Sequence, residues 1–262
     1  MGTSKGYKMP SGGDWEPLKR EATVFAKNDG AGPVAPRTLL RDYMKVRSVS
    51  GGSTMGSGTG GSGSGGSSAG PSRGGRARSW GAGVTTAQRL GGFISRVGEV
   101  GLVEALREAG LGHLVGRSAA EVSGALLEKL AGPASTLDQA SAREALIALN
   151  DELFAETETF EDVEETLTRT MDEEGLFGIL LRFFGHYVYQ CFCTDFYERF
   201  VKKVGPSRAA HSLKSIRDCI EAAIKAKLAA VDIKKFNWSG KEGKRISEQV
   251  LGEIRDIFEV PA

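Results

Sequence analysis

The 262-residue chain is long enough for one compact body and an appendage, because domains usually hold roughly 100 to 200 residues and 40% of its residues are apolar. A formal net charge of +1 argues against a uniformly basic nucleic-acid binder. The three cysteines, Cys191, Cys193 and Cys219, cannot all pair with one another, which favours a reducing cytoplasm over a disulfide-stabilised secreted fold.

Charge and hydropathy differ along the chain. Residues 1–89 hold 13 Lys and Arg against 5 Asp and Glu, a balance of +8, so the total of +1 leaves −7 for the remainder.

We expect no secretory signal, because no charged start is followed by an apolar run of roughly 7 to 15 residues. The apolar stretch 176–193 contains Arg182, His186 and Gln190, which a lipid-facing helix rarely carries together. We therefore predict a core helix in a cytoplasmic protein that does not span a membrane.

Residues 1–47 form a predicted N-terminal arm with two short amphipathic helices. One begins near Pro17 and the other near Pro36. Their apolar positions recur at helical spacing: Leu18, Ala22, Phe25 and Ala26, then Leu39, Leu40, Tyr43 and Met44. Helices of this length are marginal alone in water, so each needs a surface to pack on. The sequence leaves open whether that surface is the chain's own body or a partner.

Residues 48–80 form a predicted disordered linker, since residues 48–75 are nearly all Gly and Ser. Such a segment spans roughly 25 to 30 Å on average, enough for the arm to lie on another molecule. A G-x-G-x-x-G match occurs at Gly56, Gly58 and Gly61. No strand precedes this match and no helix follows it, so a dinucleotide site is not expected.

Residues 81–262 form a predicted helical body, because apolar residues recur at helical spacing and no alternating run is long enough for a strand. The predicted helix starts are Ser118 with Glu121, Thr136 or Ser141, and Thr159 with Asp162. Gly205 and Pro206 end the long apolar helix, and residues 236–240 are expected to form a connecting corner. The predicted fold class is mainly α: an irregular multi-helix body with a flexible, Gly/Ser-linked N-terminal arm.

Candidate catalytic residues are few. The histidines, His113, His186 and His211, lie in no sequence context typical of a base beside a nucleophile. Cys191 and Cys193 point roughly 200° apart on a helix, so both cannot face one metal ion. We predict no catalytic residue, no metal site and no cofactor. Eleven carboxylates against one arginine in residues 151–174 indicate a solvated acidic face, or one that docks a basic partner or the arm.

The N-terminus offers a chemically distinct amine. A small residue after Met1 permits removal of the methionine, which leaves the α-amine of Gly2. Such an amine has a pKa of about 7.7 to 8.0, so roughly a tenth is neutral at pH 7, far more than for a lysine. The myristoylation pattern is not met, because Gly6 stands where Ser or Thr is required. Gly2 is therefore a candidate acceptor for acylation.

Several short segments of the sequence resemble one protein family. They are Met1-Gly2-Thr3-Ser4-Lys5, Trp15-Glu16-Pro17-Leu18-Lys19, Phe25-Ala26, the Gly-rich segment, and residues 138–153 and 232–243. Together they look like QatB, the helical component of the Qat bacterial anti-phage defence system. The resemblance implies an operon with an ATPase, a TatD-like DNase and a QueC-like protein, similar to the 7-cyano-7-deazaguanine synthases. It carries no catalytic residues onto this chain.

Two functions from different classes follow. In the first, the chain is a non-enzymatic interaction protein whose arm enters the QueC-like synthase, with Gly2 as the modified residue. The residues then expected to contact the partner are Thr3, Ser4, Tyr7, Trp15, Pro17, Leu18 and Phe25. In the alternative, the chain is a nucleic-acid-binding adaptor for the DNase. Its basic arm, including Arg73, Arg76 and Arg78, would neutralise phosphates, and Trp80 would stack on a base.

Overall fold

Residues 10–30, 32–49, 80–230 and 241–259 are the part of the chain that the computed structural model describes. This part contains nine α-helices and no strand, so the mainly α prediction is confirmed. The helices are α1 (Trp15–Lys27), α2 (Pro36–Val49), α3 (Gly81–Glu108), α4 (Ala119–Ala131), α5 (Leu137–Phe154), α6 (Phe160–Glu173), α7 (Gly175–Val204), α8 (Pro206–Ala230) and α9 (Lys241–Glu259). A 3₁₀ turn, Gly112–Leu114, lies between α3 and α4.

Helix α7 is the centre of the assembly. It packs against α1, α3, α5, α6, α8 and α9, and it buries aromatic and aliphatic side chains around most of its circumference. By length and composition it could cross a membrane, but 72% of its most apolar window is buried inside the protein. A helix that is apolar all round and enclosed by other helices is typical of a protein core.

Local sequence signals place the ends of several helices. Ser118, Thr136 and Thr159 each accept a hydrogen bond from the backbone three residues later and form complete capping boxes. These three predicted helix starts are confirmed, with Thr136 rather than Ser141 as the cap of α5. Helix α7 ends at Gly205, whose φ of 82° is favourable only for glycine, and Pro206 opens α8.

The two arm helices pack on the chain's own body. Helix α1 lies against α7 and α8, and α2 lies against α1, α8 and α9. The faces that the sequence marks as apolar are the buried ones, with Phe25, Leu39 and Tyr43 fully enclosed. The choice that the sequence left open between body and partner is therefore settled in favour of the body.

Polar contacts hold the arm helices in the same place. On α7, Arg199 donates through Nε to the Lys19 carbonyl at 3.1 Å and to Thr23 Oγ1 at 2.9 Å. On α8, Arg208 pairs with Asp29 just beyond the end of α1, at 2.7 Å. Residues 50–79 of the predicted linker, including the G-x-G-x-x-G match, and the predicted corner at 236–240 lie outside the described residues.

Candidate functional site

A buried ionic cluster joins the end of α2 to the start of α3. Arg47 is 1% exposed, yet it carries a guanidinium group. Its Nη2 donates to Asp138 Oδ1 at 2.7 Å and its Nη1 to Asp195 Oδ2 at 3.0 Å. The guanidinium also lies 4.6 Å from the centre of the Trp80 ring, a cation–π distance. A buried charge requires this degree of pairing, because desolvation would otherwise cost several kcal/mol, on the order of 3 to 5.

Two tyrosines and one backbone amide also donate hydrogen bonds to the carboxylates. Tyr43 Oη donates to Asp195 Oδ2 at 2.9 Å, and Tyr187 Oη donates to Asp138 Oδ1 at 2.6 Å. The Ala82 amide donates to Asp138 Oδ2 at 3.0 Å. Burial raises the pKa of both tyrosines well above the ordinary value, so they remain protonated donors. We refer to Tyr43, Arg47, Trp80, Asp138, Tyr187 and Asp195 as the Arg47 cluster.

The Arg47 cluster brings the two ends of the predicted linker together. Trp80 Nε1 donates to Ser48 Oγ at 3.2 Å. Because Arg47 and Ser48 stand before residues 50–79 and Trp80 stands after them, the end of α2 and the start of α3 lie side by side. The arm helices and the body are therefore in direct contact at this point.

Three of the predicted partner-contacting residues lie inside the protein. Trp15, Leu18 and Phe25 have exposed fractions of 4%, 2% and 0%, so their side chains cannot contact a partner in this conformation. Phe25 packs against Phe200 of α7, and Trp15 packs edge-on against Tyr43 of α2. Pro17, one residue from Leu18, is exposed. Gly2, Thr3, Ser4 and Tyr7 lie outside the described residues.

Trp80 is similarly enclosed. It is 8% exposed and packs edge-on against Tyr43 and Tyr187. Its ring is thus occupied by Arg47 and two aromatic neighbours, and a nucleic-acid base cannot stack on it without unfolding the Arg47 cluster. Arg73, Arg76 and Arg78 lie outside the described residues.

A groove with a volume of about 700 Å³ lies between α7 and α8. Its lining includes Ile220 and Ile224, and several of its polar side chains are paired with one another. Arg182 bridges Glu152 at 2.8 Å and Glu174 at 3.1 Å, while His186 contacts Glu152 at 2.8 Å. The hydrogen bond from His186, together with Arg182, lowers the pKa of Glu152. His186 is therefore paired with a carboxylate, and not with a hydroxyl or thiol group that it could activate as a nucleophile.

The remaining chemical candidates have structural partners or face solvent. Cys191 is buried, and burial raises its pKa to about 12, which is typical of an inert thiol. Burial likewise raises the pKa of Cys193 to about 11. On the acidic helix α6, Asp162 caps the helix, whereas most of the other carboxylates are exposed. Within the described ranges, no group of His, Cys, Asp and Glu is arranged to hold a metal ion.

A second, shallower groove separates α1 from α2 and has a volume of about 430 Å³. It is lined by Asp14, Pro17, Leu18, Glu21, Asp42, Lys45 and Val46. We refer to it as the α1–α2 groove. It lies at the start of α1, next to the point where residues 1–9 join the described part of the chain.

The sequence did not indicate the Arg47 cluster. Arg47, Asp138 and Asp195 are far apart along the chain and belong to no motif. One signal was present, since Asp195 is an acidic residue on the face of α7 that is otherwise aromatic, alongside Phe192 and Phe196. An isolated charge on a buried face predicts a buried counter-ion, although not which one.

Comparison with known proteins gives one match. No curated protein sequence and no solved structure matches the chain. The model of a family described as "Qat anti-phage system associated protein QatB" matches residues 71–259, well over half of the chain, from before α3 to the end of α9. That description names no enzymatic activity. The chain belongs to the QatB family and is a component of the Qat anti-phage system.

Proposed function

We propose that the chain is a non-enzymatic, cytoplasmic protein that presents its N-terminal segment to a QueC-like synthase of the same operon, with Gly2 as the acceptor. The observation that carries this proposal is the docking of α1. Trp15, Leu18 and Phe25 are buried, so residues 1–9 precede a helix that is packed on the body. The ATPase and the TatD-like DNase of the operon are further proposed partners.

The reach of this segment is sufficient for an active site. Eight peptide units separate Gly2 from Pro10, and at about 3.4 Å each they span at most about 27 Å. An amine on such a tether can enter a pocket while the helical body remains outside. Thr3, Ser4 and Tyr7 would then contact the walls of the pocket, and Pro17 the rim.

The chemistry fits an enzyme that activates a carboxylate. A synthase of this type uses ATP to convert a deazaguanine carboxylate to an acyl-adenylate with release of pyrophosphate. The neutral Gly2 amine attacks the acyl carbon, the amide bond forms, AMP leaves and the amine loses a proton. Glycine has no Cβ to obstruct the approach of the amine to a crowded acyl group.

Intact-mass measurement of the chain co-expressed with its operon partners tests the proposal. We expect an adduct on the chain only when the synthase is present. The variant with Lys5→Arg and Lys8→Arg keeps the charge but removes the nearby competing amines, and it should carry the same adduct. Gly2→Leu should remove both the adduct and phage defence. An unmodified Gly2 in cells that resist phage would contradict the proposal.

A further inference from the structure

The α1–α2 groove contains a carboxylate for which no ion pair is seen within the described residues. Burial and then the neighbouring Asp42 raise the pKa of Glu21, and the nearby charge of Arg41 offsets this only in part. Asp42 accepts a hydrogen bond from Arg41 Nε at 3.0 Å, so Arg41 is already engaged. Asp14 adds a third carboxylate to the lining, against the single amine of Lys45. A further cation would therefore be favourable beside Glu21.

The groove also has an apolar part that can contact a partner. Pro17 is exposed at its edge and the half-buried Val46 lines it, whereas Leu18, which also lines it, is buried. Apolar side chains next to an unpaired carboxylate are suited to a lysine or arginine, whose long aliphatic stem packs on apolar surface while its head reaches the charge. By contrast, Arg182 and His186 in the larger α7–α8 groove are already paired with Glu152 and Glu174.

The length of the N-terminal segment restricts where a modifying enzyme can sit. Gly2 lies at most about 27 Å of extended chain from Pro10. Pro10 is only four residues before Asp14, which lines the groove. An enzyme that encloses Gly2 in a pocket must therefore cover the body close to the start of α1.

We infer that the α1–α2 groove is the docking surface for the enzyme that modifies Gly2, and that it receives a lysine or arginine of that enzyme beside Glu21. This inference rests on the proposed function, because the position of the partner follows from the capture of Gly2. Docking at the groove would fix the distance between the helical body and the active-site pocket of the enzyme, and residues 3–13 would span that distance.

Charge reversal in the full-length chain tests the inference. Glu21→Lys places a like charge against the partner's cation and should weaken binding of the synthase by at least about tenfold. The matched control is Glu165→Lys, an equal change of charge on the exposed face of α6, and it should bind like the unaltered chain. Lys45→Glu increases the negative charge of the groove and should tighten binding. Calorimetry gives the affinities, and circular dichroism verifies that each variant is folded.

Two readouts separate failure of the docking surface from failure of the proposed function. Intact mass is recorded at a synthase concentration below saturation, alongside the affinities. An equal rate of adduct formation on Glu21→Lys and on the unaltered chain would overturn the docking surface and leave the Gly2 proposal standing. Weakened binding of Glu21→Lys, with no adduct on any chain, would support the docking surface and overturn the Gly2 proposal.

Discussion

Arg47 is a buried cation that two carboxylates share. Asp195 is completely buried and Asp138 is largely buried, and the guanidinium forms an ion pair with each of them. The Nε of Arg47 has no hydrogen-bond partner in the described part of the chain. The guanidinium therefore acts through its two Nη atoms and through its contact with Trp80.

Replacing Arg47 should destabilise the fold severely. Arg47→Met keeps the side-chain length but removes the cation that Asp138 and Asp195 share, so we expect a loss of about 3 to 5 kcal/mol in the free energy of unfolding. Arg96→Met is the control, because Arg96 makes exposed pairs with Glu99 and Glu108, and it should lower the free energy of unfolding far less than Arg47→Met does. Urea unfolding of the full chain measures both. A loss of under about 1 kcal/mol for Arg47→Met would show that the cluster is not buried as described.

Gly83 is required for close packing of α3 on α7. A Cβ at this position would overlap the ring of Tyr187, a member of the Arg47 cluster. Gly83→Ala should therefore cost about 1 to 3 kcal/mol by overpacking. Gly92 lies on the same helix with nothing within 4 Å of its added Cβ, so Gly92→Ala should be neutral or stabilising by up to about 1 kcal/mol. Thermal unfolding compares the pair, and equal effects would exclude a steric requirement at Gly83.

At the scale of single elements, the capping boxes define where the helices of the body begin. Ser118, Thr136 and Thr159 are the N-cap residues of α4, α5 and α6. Each side-chain hydroxyl accepts a hydrogen bond from a backbone amide in the first turn, where an amide has no partner within the helix. Inside α3, Gly101 has φ 81° and ψ 165°, which bends the helix and turns the Leu102 amide towards the Glu164 carboxylate at 3.4 Å. A helix can bend there because glycine tolerates a positive φ.

The cap of α6 should make stability depend on acid pH. Asp162 accepts backbone hydrogen bonds from Thr159 at 2.9 Å and Glu158 at 3.0 Å, and these bonds lower its pKa below the ordinary 3.8. A lowered pKa in the folded state contributes stability above pH 3.8, and this contribution is lost as the pH falls through the folded-state value. Asp162→Asn should thus be less stable than the unaltered chain at neutral pH, with a difference that shrinks below that value.

Urea unfolding at several pH values measures this difference. Asp172→Asn serves as the control, because Asp172 lies in the last turn of the same helix, where a negative charge opposes the helix dipole. It should not lower stability at neutral pH. A constant difference between Asp162→Asn and the unaltered chain at all pH values would contradict the assigned role of the carboxylate.

At the scale of the whole molecule, the N-terminal helices and the body form one packed unit. The apolar faces of α1 and α2 are continuous with the core around α7, and Arg47 and Trp80 connect the two parts through charge and aromatic contact. A covalent connection through residues 50–79 is therefore not needed to keep α2 beside α3. The noncovalent interface supplies that connection.

Cleavage between the two parts should leave them associated. A protease site introduced within residues 50–79 yields two fragments, and we expect them to co-elute in size-exclusion chromatography in native buffer and to separate in denaturant. The same cleavage in Arg47→Met should release the N-terminal fragment more readily, because the contact that joins α2 to α5 and α7 is lost. Separation of the fragments of the unaltered chain at micromolar concentration would contradict the packed unit.

Local and periodic features of this protein could be predicted from the sequence. Capping residues at Ser118 and Thr159, the break at Gly205 and Pro206, and the apolar spacing of Leu39, Leu40, Tyr43 and Met44 each depend on residues within a few positions of one another. Hydrogen bonds from capping side chains to backbone amides, and the periodicity of a helix, both relate residues that are only a few positions apart. Helix content, helix starts and the buried face of each arm helix follow from it. The resemblance to the QatB family also came from short phrases of sequence.

Only the tertiary structure decided where those faces are buried and which charges meet. An amphipathic helix shows that it needs an apolar surface, but its sequence does not distinguish the chain's own body from a partner. Arg47 meets Asp138 and Asp195 across 91 and 148 residues, and no local pattern encodes such a pairing. The Gly/Ser composition of the linker allowed the arm to lie on the body or on another molecule, whereas packing of α2 placed Ser48 beside Trp80. Long-range burial, which depends on the whole set of helices at once, determined each of these outcomes.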